Sequence, residues 1–364
     1  VQVPLLDMKA PYEELKDELD AAYARFMTSG WYVLGTQTQA FEEAYAGYCQ
    51  VEHCVGVSSG LDALHLALRA CDVGPGDEVL VPSNTYIATW LAVTYAGATV
   101  VPVEPDPRTY NLDPARIESA ITPRTKAIMA VHLYGLPADM DPIMEAAQRH
   151  GLVVIEDNAQ AQGARYKGRR TGSLGHLAAH SFYPAKNLGA YGEAGAVTTN
   201  NAAWAEKVRV LRNYGSQRKY YNEHKGFNAR LDELQAAFLR VKLGCLDAWN
   251  DRRRQRAEQY MEGLADCPEI TLPCVPSWAQ PVWHQFVIRH PARDALQQRL
   301  TEQGIGTLIH YPIPPHRSEA YSEMGCGPGS FPIAEALAAT VLSLPMGPHL
   351  TADQAAFVVE RIRA

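Results

Sequence analysis

Three stretches of this sequence hold residues that could do chemistry together. In HSFYPAKNLGAYGEAGAVTTN, Lys186 follows an apolar run and a Pro turn, then enters a segment with glycines at 189, 192 and 195. Such a segment makes a poor helix but can hold one amine end-on against a flat ligand. Lysine, unlike arginine, loses its proton when buried and can then act as nucleophile or base. The chain has only nine lysines among 33 basic residues, and none beyond Lys242. Lys9, Lys16, Lys207 and Lys242 fall in helical patterns or N-terminal coil, Lys126 precedes a strand, and Lys167 lies in a turn. Lys219 and Lys225 belong to a basic loop. A lone loop lysine is usually just solvated, so Lys186 stands out by context. In LVVIEDNAQAQGA, Asp157 ends the most apolar run, with Gln160 one turn further on. A carboxylate at that depth needs a cation or several donors, unless it merely caps a helix. In VGVSSGLDALHLALRA, a strand ends in Ser58-Ser59-Gly60 and a helix starts at once. Free N–H groups, a positive dipole and hydroxyls make such a start a phosphate cradle, although taken alone it is an ordinary N-cap.

An amine, a buried carboxylate and a phosphate cradle match the aldehyde, pyridine nitrogen and phosphate of pyridoxal phosphate. That cofactor also wants an aromatic ring on its face. Tyr86 in PSNTYIATW follows another strand end, where core packing is the plainer use of a tyrosine.

The elements needed to position these groups are legible. Apolar runs CVGV, EVLVP, TVVPV, AIMAVH and LVVIED alternate with helical patterns, which indicates an α/β fold with a mainly parallel sheet covered on both faces. Ligands of such sheets bind at the carboxyl ends of the strands, where these residues fall. An amphipathic helix is expected over about Tyr12 to Met27, and one long helix from about Leu231 to Leu264. The Pro-rich ITLPCVPSWAQPVW opens a second, α+β region. The division expected is a large cofactor-binding domain over 1–250 and a small C-terminal domain over 251–364.

Composition removes several classes. At 364 residues the chain is long for one core, and 47% apolar residues leave no room for a disordered majority. A net charge of −7 argues against a dedicated nucleic-acid binder. Seven cysteines without a CxxC pair read as reduced thiols of a cytoplasmic protein. Val79 to Val103 carries no charge and is long enough to span a bilayer, but Pro82, Gly97 and Pro102 cut it into strand, helix and strand, so no membrane segment is expected. The twelve histidines show no metal spacing; His310 and His316 flank a Pro-rich loop. No phosphate loop, HExxH, GxSxG or dinucleotide fingerprint occurs, which counts against a dehydrogenase on a doubly wound sheet.

From end to end the chain resembles the DegT type of sugar-nucleotide aminotransferase, a fold-type-I pyridoxal phosphate family. The motifs that carry the likeness include SSGLDALHLAL, GPGDEVLVPSNTYIAT, VVIEDNAQAQGA, SFYPAKNLGAYGEAGA, FNARLDELQAA and IHYPIPPH, all in order. The resemblance implies that Lys186 carries the cofactor covalently and Asp157 pairs with its ring nitrogen. Gln160 would meet the ring hydroxyl, and Tyr86 the ring face. Ser59, Gly60 and Ser181 would hold the phosphate, and Asn228 would reach the phosphate in the other subunit of a homodimer. Leu61 stands where many relatives place a phosphate-binding threonine, Gln162 where histidine is common, and His180 where an apolar or aromatic residue is common. Relatives with histidine for the lysine act as dehydratases, so Lys186 points to transamination.

By the same resemblance L-glutamate is the amino donor and a nucleotide-linked keto-sugar the acceptor. A diphosphate needs local positive charge, and Val208–Arg230 supplies Arg209, Arg212, Arg218, Lys219, Lys225 and Arg230 against Glu223 alone, with tyrosines interleaved. The RRRQR run at 252–256 reads as a solvated helix face. The form of the lysine motif is similar to relatives that aminate C3, implying a dTDP-3-keto-6-deoxyhexose, with Tyr32, Tyr183, Lys219, His310 and Tyr311 lining its site. The rivals are a C4-aminating enzyme and a non-catalytic regulator that keeps the cofactor as a ligand.

Overall fold

The computed structural model describes residues 2–364. Its centre is a seven-stranded sheet: β1 (His53–Val57), β2 (Glu78–Pro82), β3 (Thr99–Val103), β4 (Thr125–Val131), β5 (Val153–Asp157), β6 (Leu177–Ser181) and β7 (Gly195–Thr199). The spatial order is β1-β7-β6-β5-β4-β2-β3. β7 runs antiparallel to both neighbours, and every other pairing is parallel. β2 and β6 are buried at every position, as strands covered on both faces must be. The helix Gly60–Ala70 lays Leu64, Leu66 and Leu68 into the main core, with Trp90 from the helix Ile87–Tyr95. Trp90 is fully buried, and its indole N–H donates to the Pro82 carbonyl at 3.0 Å. The stretch Val79–Val103 is thus strand, helix and strand, and no described helix is long and apolar enough to cross a membrane.

A second core gathers Tyr260, Phe286, Ile288, Leu296, Leu342 and Val358 around the antiparallel pair β8 (Phe286–Arg289) and β9 (Val341–Leu344). Val3 belongs to this core, held between Gly304 and Gly306 by backbone hydrogen bonds. Residue 250 lies inside the helix Leu246–Gly263, which joins the two cores.

Three expectations need correction. The long helix is two, Glu233–Leu243 and Leu246–Gly263, broken at Gly244-Cys245. Glycine is the weakest ordinary helix former, and the break lets Trp249 pack with Leu15 and Leu19. The N-terminal helix is likewise two, Ala10–Glu14 and Lys16–Ser29. Within RRRQR, Arg253 is not solvated. It is 2% exposed and its guanidinium donates to the carbonyls of Trp283 at 3.2 Å and Met346 at 3.4 Å, tying its helix to the second core.

Candidate active site

The carboxyl ends of β1, β2, β5 and β6 converge, and each delivers at least one predicted residue. After β1, Ser59 caps the helix Gly60–Ala70 by accepting from Asp62 N at 3.1 Å. The Ser58 and Ser59 hydroxyls both turn to the Asp62 carboxylate. The first-turn N–H groups of Gly60 and Leu61 have no carbonyl within the helix to bind. A Cβ at Gly60 would lie 2.5 Å from Ser181 Cβ, and one at Gly195 would lie 2.3 Å from the Ser59 carbonyl oxygen. The cradle is therefore closed down onto backbone, with glycine required on two sides. Leu61 packs into the main core and adds no hydroxyl.

At the end of β5, Asp157 is buried and caps no helix. Oδ1 accepts from Ala159 N at 3.2 Å, and Oδ2 accepts from Thr89 Oγ1 at 2.9 Å. Burial pushes its carboxyl up, while the Thr89 hydroxyl, the Ala159 N–H and the nearby Lys186 pull it back down. A buried carboxylate with two donors still has room to accept from a protonated ring nitrogen.

Lys186 sits in the loop between β6 and β7. The loop is closed by Ala190 N donating to the Phe182 carbonyl and Lys186 N to that of Tyr183, both at 2.8 Å. Lys186 keeps some exposure, yet protein packed around its amine lowers the ammonium to about 8, against the opposing pull of Asp157 and Glu193. An amine in that range is about a tenth neutral at pH 7, some hundreds of times more than a solvated lysine, so a base form is within reach. Asn187, next along, donates to Asn250 Oδ1 at 2.8 Å and the Val282 carbonyl at 3.0 Å, and pairs with His284.

Gln160 is held at both ends: Oε1 accepts from Tyr134 N at 2.6 Å, and Nε2 donates to the Tyr311 hydroxyl at 3.0 Å. Tyr311 also faces Tyr86, ring centroids 5.2 Å apart, so segments far apart in the chain build the mouth of the site. His310 bonds Ser343 Oγ at 2.7 Å, and burial with the nearby Lys186 charge lowers it to about 4, leaving it neutral. Tyr86 and Tyr183 are about half exposed. Among the described residues, no hydrogen bond or ring contact joins Tyr32, Lys219 or Asn228 to this cluster. Tyr32 lies against Phe26, and Lys219 reaches over Tyr220. Arg212, expected in the basic loop, is instead buried between Glu42 and the Gly56 carbonyl, which accepts at 2.6 Å.

Sequence reasoning missed Thr89, although its place one turn after Tyr86 on an apolar helix was a usable signal. It also missed Lys242, read as an ordinary helix lysine and found 3% exposed. No cluster of metal-ligating side chains occurs among the described residues.

A fold-type-I sheet with amine, carboxylate and anion cradle at its carboxyl edge defines a cofactor-dependent transferase. The chain belongs to the DegT/DnrJ/EryC1/StrS aminotransferase family, which it matches over residues 13–363. It is 56% identical over 364 residues, all of both chains, to the erythromycin biosynthesis sensory transduction protein EryC1 of Saccharopolyspora erythraea. It is 55% identical over 362 residues, 100% of this chain and 96% of the other, to the dTDP-3-amino-3,4,6-trideoxy-alpha-D-glucose transaminase of Streptomyces venezuelae. The crystal structure of S. venezuelae DesV in complex with a ketimine intermediate superposes with a TM-score of 0.98 at 55% identity, covering 100% of this chain and 98% of that one.

Proposed function

We propose that this protein is a pyridoxal-phosphate-dependent transaminase that places an amino group on C3 of a dTDP-linked keto-deoxysugar, with L-glutamate as donor. The observation that carries this reading is Lys186, an amine lowered to about 8, beside the buried Asp157 and the Ser59-Gly60 helix start. The likeness to a dTDP-3-amino-sugar transaminase supports the choice of C3 and of dTDP over amination at C4. The same likeness to transaminases favours this reading over a regulator that merely holds the cofactor.

Pyridoxal phosphate, when bound, supplies an electron sink and a carrier for the amino group. The Ser59 and Ser181 hydroxyls and the N–H groups of Gly60 and Leu61 would hold its phosphate. Asp157 would accept from the ring nitrogen and keep it protonated. Tyr86 would cover the ring face, and the spare N–H of Gln160 Nε2 would meet the ring hydroxyl. Lys186 in its neutral form removes a proton from the donor carbon and returns one to the sugar carbon. The active unit is a homodimer in the cytoplasm. Asn228 reaches across to the partner's site, while Tyr32, Tyr183, Lys219, His310 and Tyr311 line the sugar site. These placements rest on the family resemblance and on the exposure of Tyr32, Lys219 and Asn228.

Incubation with glutamate and the 3-keto and 4-keto isomers of a dTDP-6-deoxyhexose, followed by NMR of the product, should show an amine at C3. An amine at C4 overturns the regiochemistry. Lys186→Ala should lose both the absorbance of attached cofactor and turnover; full turnover in that variant would falsify its role.

A further inference from the structure

The loop that carries Lys186 is gripped from behind by one face of a single helix. Along Glu233–Leu243, residues 235, 238 and 242 share a face by helical spacing. Gln235 Oε1 accepts from Tyr191 N at 2.8 Å, fixing the exit of the loop. Phe238 meets the Tyr191 ring edge-on, with centroids 5.4 Å apart. Lys242 Nζ lies 3.5 Å from the centre of that ring and donates to the Gly189 carbonyl at 2.7 Å. The turn it holds is tight, since a Cβ at Gly189 would stand 2.2 Å from the Pro184 carbonyl oxygen. Lys242 has no carboxylate partner among the described residues, and burial alone lowers its ammonium to about 7. A lysine buried without a counter-charge is a costly way to fill space, which methionine would fill at no such cost.

We propose that Lys242 is a positioning residue for the transamination: its donation to the Gly189 carbonyl, backed by Gln235 and Phe238, sets where the Lys186 amine stands. This rests on the reading of Lys186 as the attaching lysine. The amine donates in its neutral form as well as charged, so the hold persists across the working pH range. A displacement of the order of 1 Å at a reacting group can cost about a hundredfold in rate, so a second-layer tie of this kind acts on kcat and leaves substrate affinity alone.

The test compares wild type, Lys242→Met, Lys242→Arg and Lys186→Ala. Apo-protein is mixed with pyridoxal phosphate and the rise of attached-cofactor absorbance is timed. The reconstituted proteins are then assayed for kcat and KM. Lys242→Met should attach the cofactor at least tenfold more slowly and lose about tenfold or more in kcat, with KM for the sugar nucleotide within about twofold. Lys242→Arg, which keeps a donor, should recover most of both. Wild-type attachment and kcat in Lys242→Met, whatever its melting temperature, overturn the proposal. So does a loss confined to KM. If Lys186→Ala still formed the absorbing attachment, the reading of Lys186 itself would fail, a separate result.

Discussion

At the scale of single residues, the chemistry turns on how far burial moves three ionisable groups. Lys186 is lowered to about 8, so the rate at which apo-protein captures pyridoxal phosphate should rise about tenfold per pH unit below that value and then level off. A solvated lysine would keep gaining up to about 10.5; stopped-flow absorbance from pH 6 to 10 distinguishes the two, and an unbroken rise to pH 10 sinks the assignment. Asp157 is raised by burial and held down chiefly by Thr89. Thr89→Val should therefore weaken the hold on the ring nitrogen and lower kcat about tenfold, the worth of one hydrogen bond to a charged group. Thr89→Ser, which restores the hydroxyl, should return most of it. Lys242, at about 7 in the folded chain, binds fewer protons than in the unfolded chain from there up to about 10.5, so its contribution to stability grows as pH rises through that window. Between pH 7 and 8.5 the unfolding free energy of wild type should gain, relative to Lys242→Met, at most about 1.4 kcal/mol per pH unit; parallel pH dependences in the two proteins would contradict the burial of that amine.

At the scale of elements, the sheet places its ends and the loops supply the reactive atoms. That Asp157 and Ser59-Gly60 lie on the same edge of the sheet was readable, because apolar runs alternating with helices indicate a mainly parallel sheet, and its carboxyl edge collects whatever ends each run. The break at Gly244-Cys245 was not readable, since the apolar pattern continues through it and only the docking of Trp249 on Leu15 and Leu19 shows its purpose. The same limit hid the clasp on the lysine loop: residues 235, 238 and 242 show helical spacing, but spacing does not say what a face meets. Tightness at the cradle gives a prediction that belongs here. Gly60→Ala would press its Cβ against Ser181, 2.5 Å away, forcing the helix start off β6. Overpacking of this kind costs about 1–3 kcal/mol, so the variant should melt lower and bind pyridoxal phosphate at least tenfold more weakly. Unchanged affinity by titration would show that the phosphate sits elsewhere.

At the scale of the whole molecule, segments distant in sequence meet at the mouth of the site, Tyr86 and Gln160 on one side and Tyr311 on the other. With Arg212 buried, the expected basic loop draws its charge from fewer residues, among them Arg218, Lys219, Lys225 and Arg230, on a protein of net charge −7. Sharing of sites between subunits can be tested by mixing. If Asn228 serves the partner's site, Lys186→Ala and Asn228→Asp are each nearly inactive, and hybrids regain one good site, about a quarter of wild-type activity at random assortment. Hybrids that form without recovery would refute the sharing. The sequence by itself determined the fold class, the edge of the sheet where chemistry happens, and the amine, carboxylate and cradle that meet there, because strand patterning and helix starts are local properties. Only the tertiary structure decided that Thr89 tunes Asp157 from 68 residues away, that Lys242 grips Gly189 across 53, and that Tyr311 holds Gln160 across 151. Desolvation and side-chain contact depend on every atom packed around a group, and those atoms come from segments whose meeting no local pattern specifies.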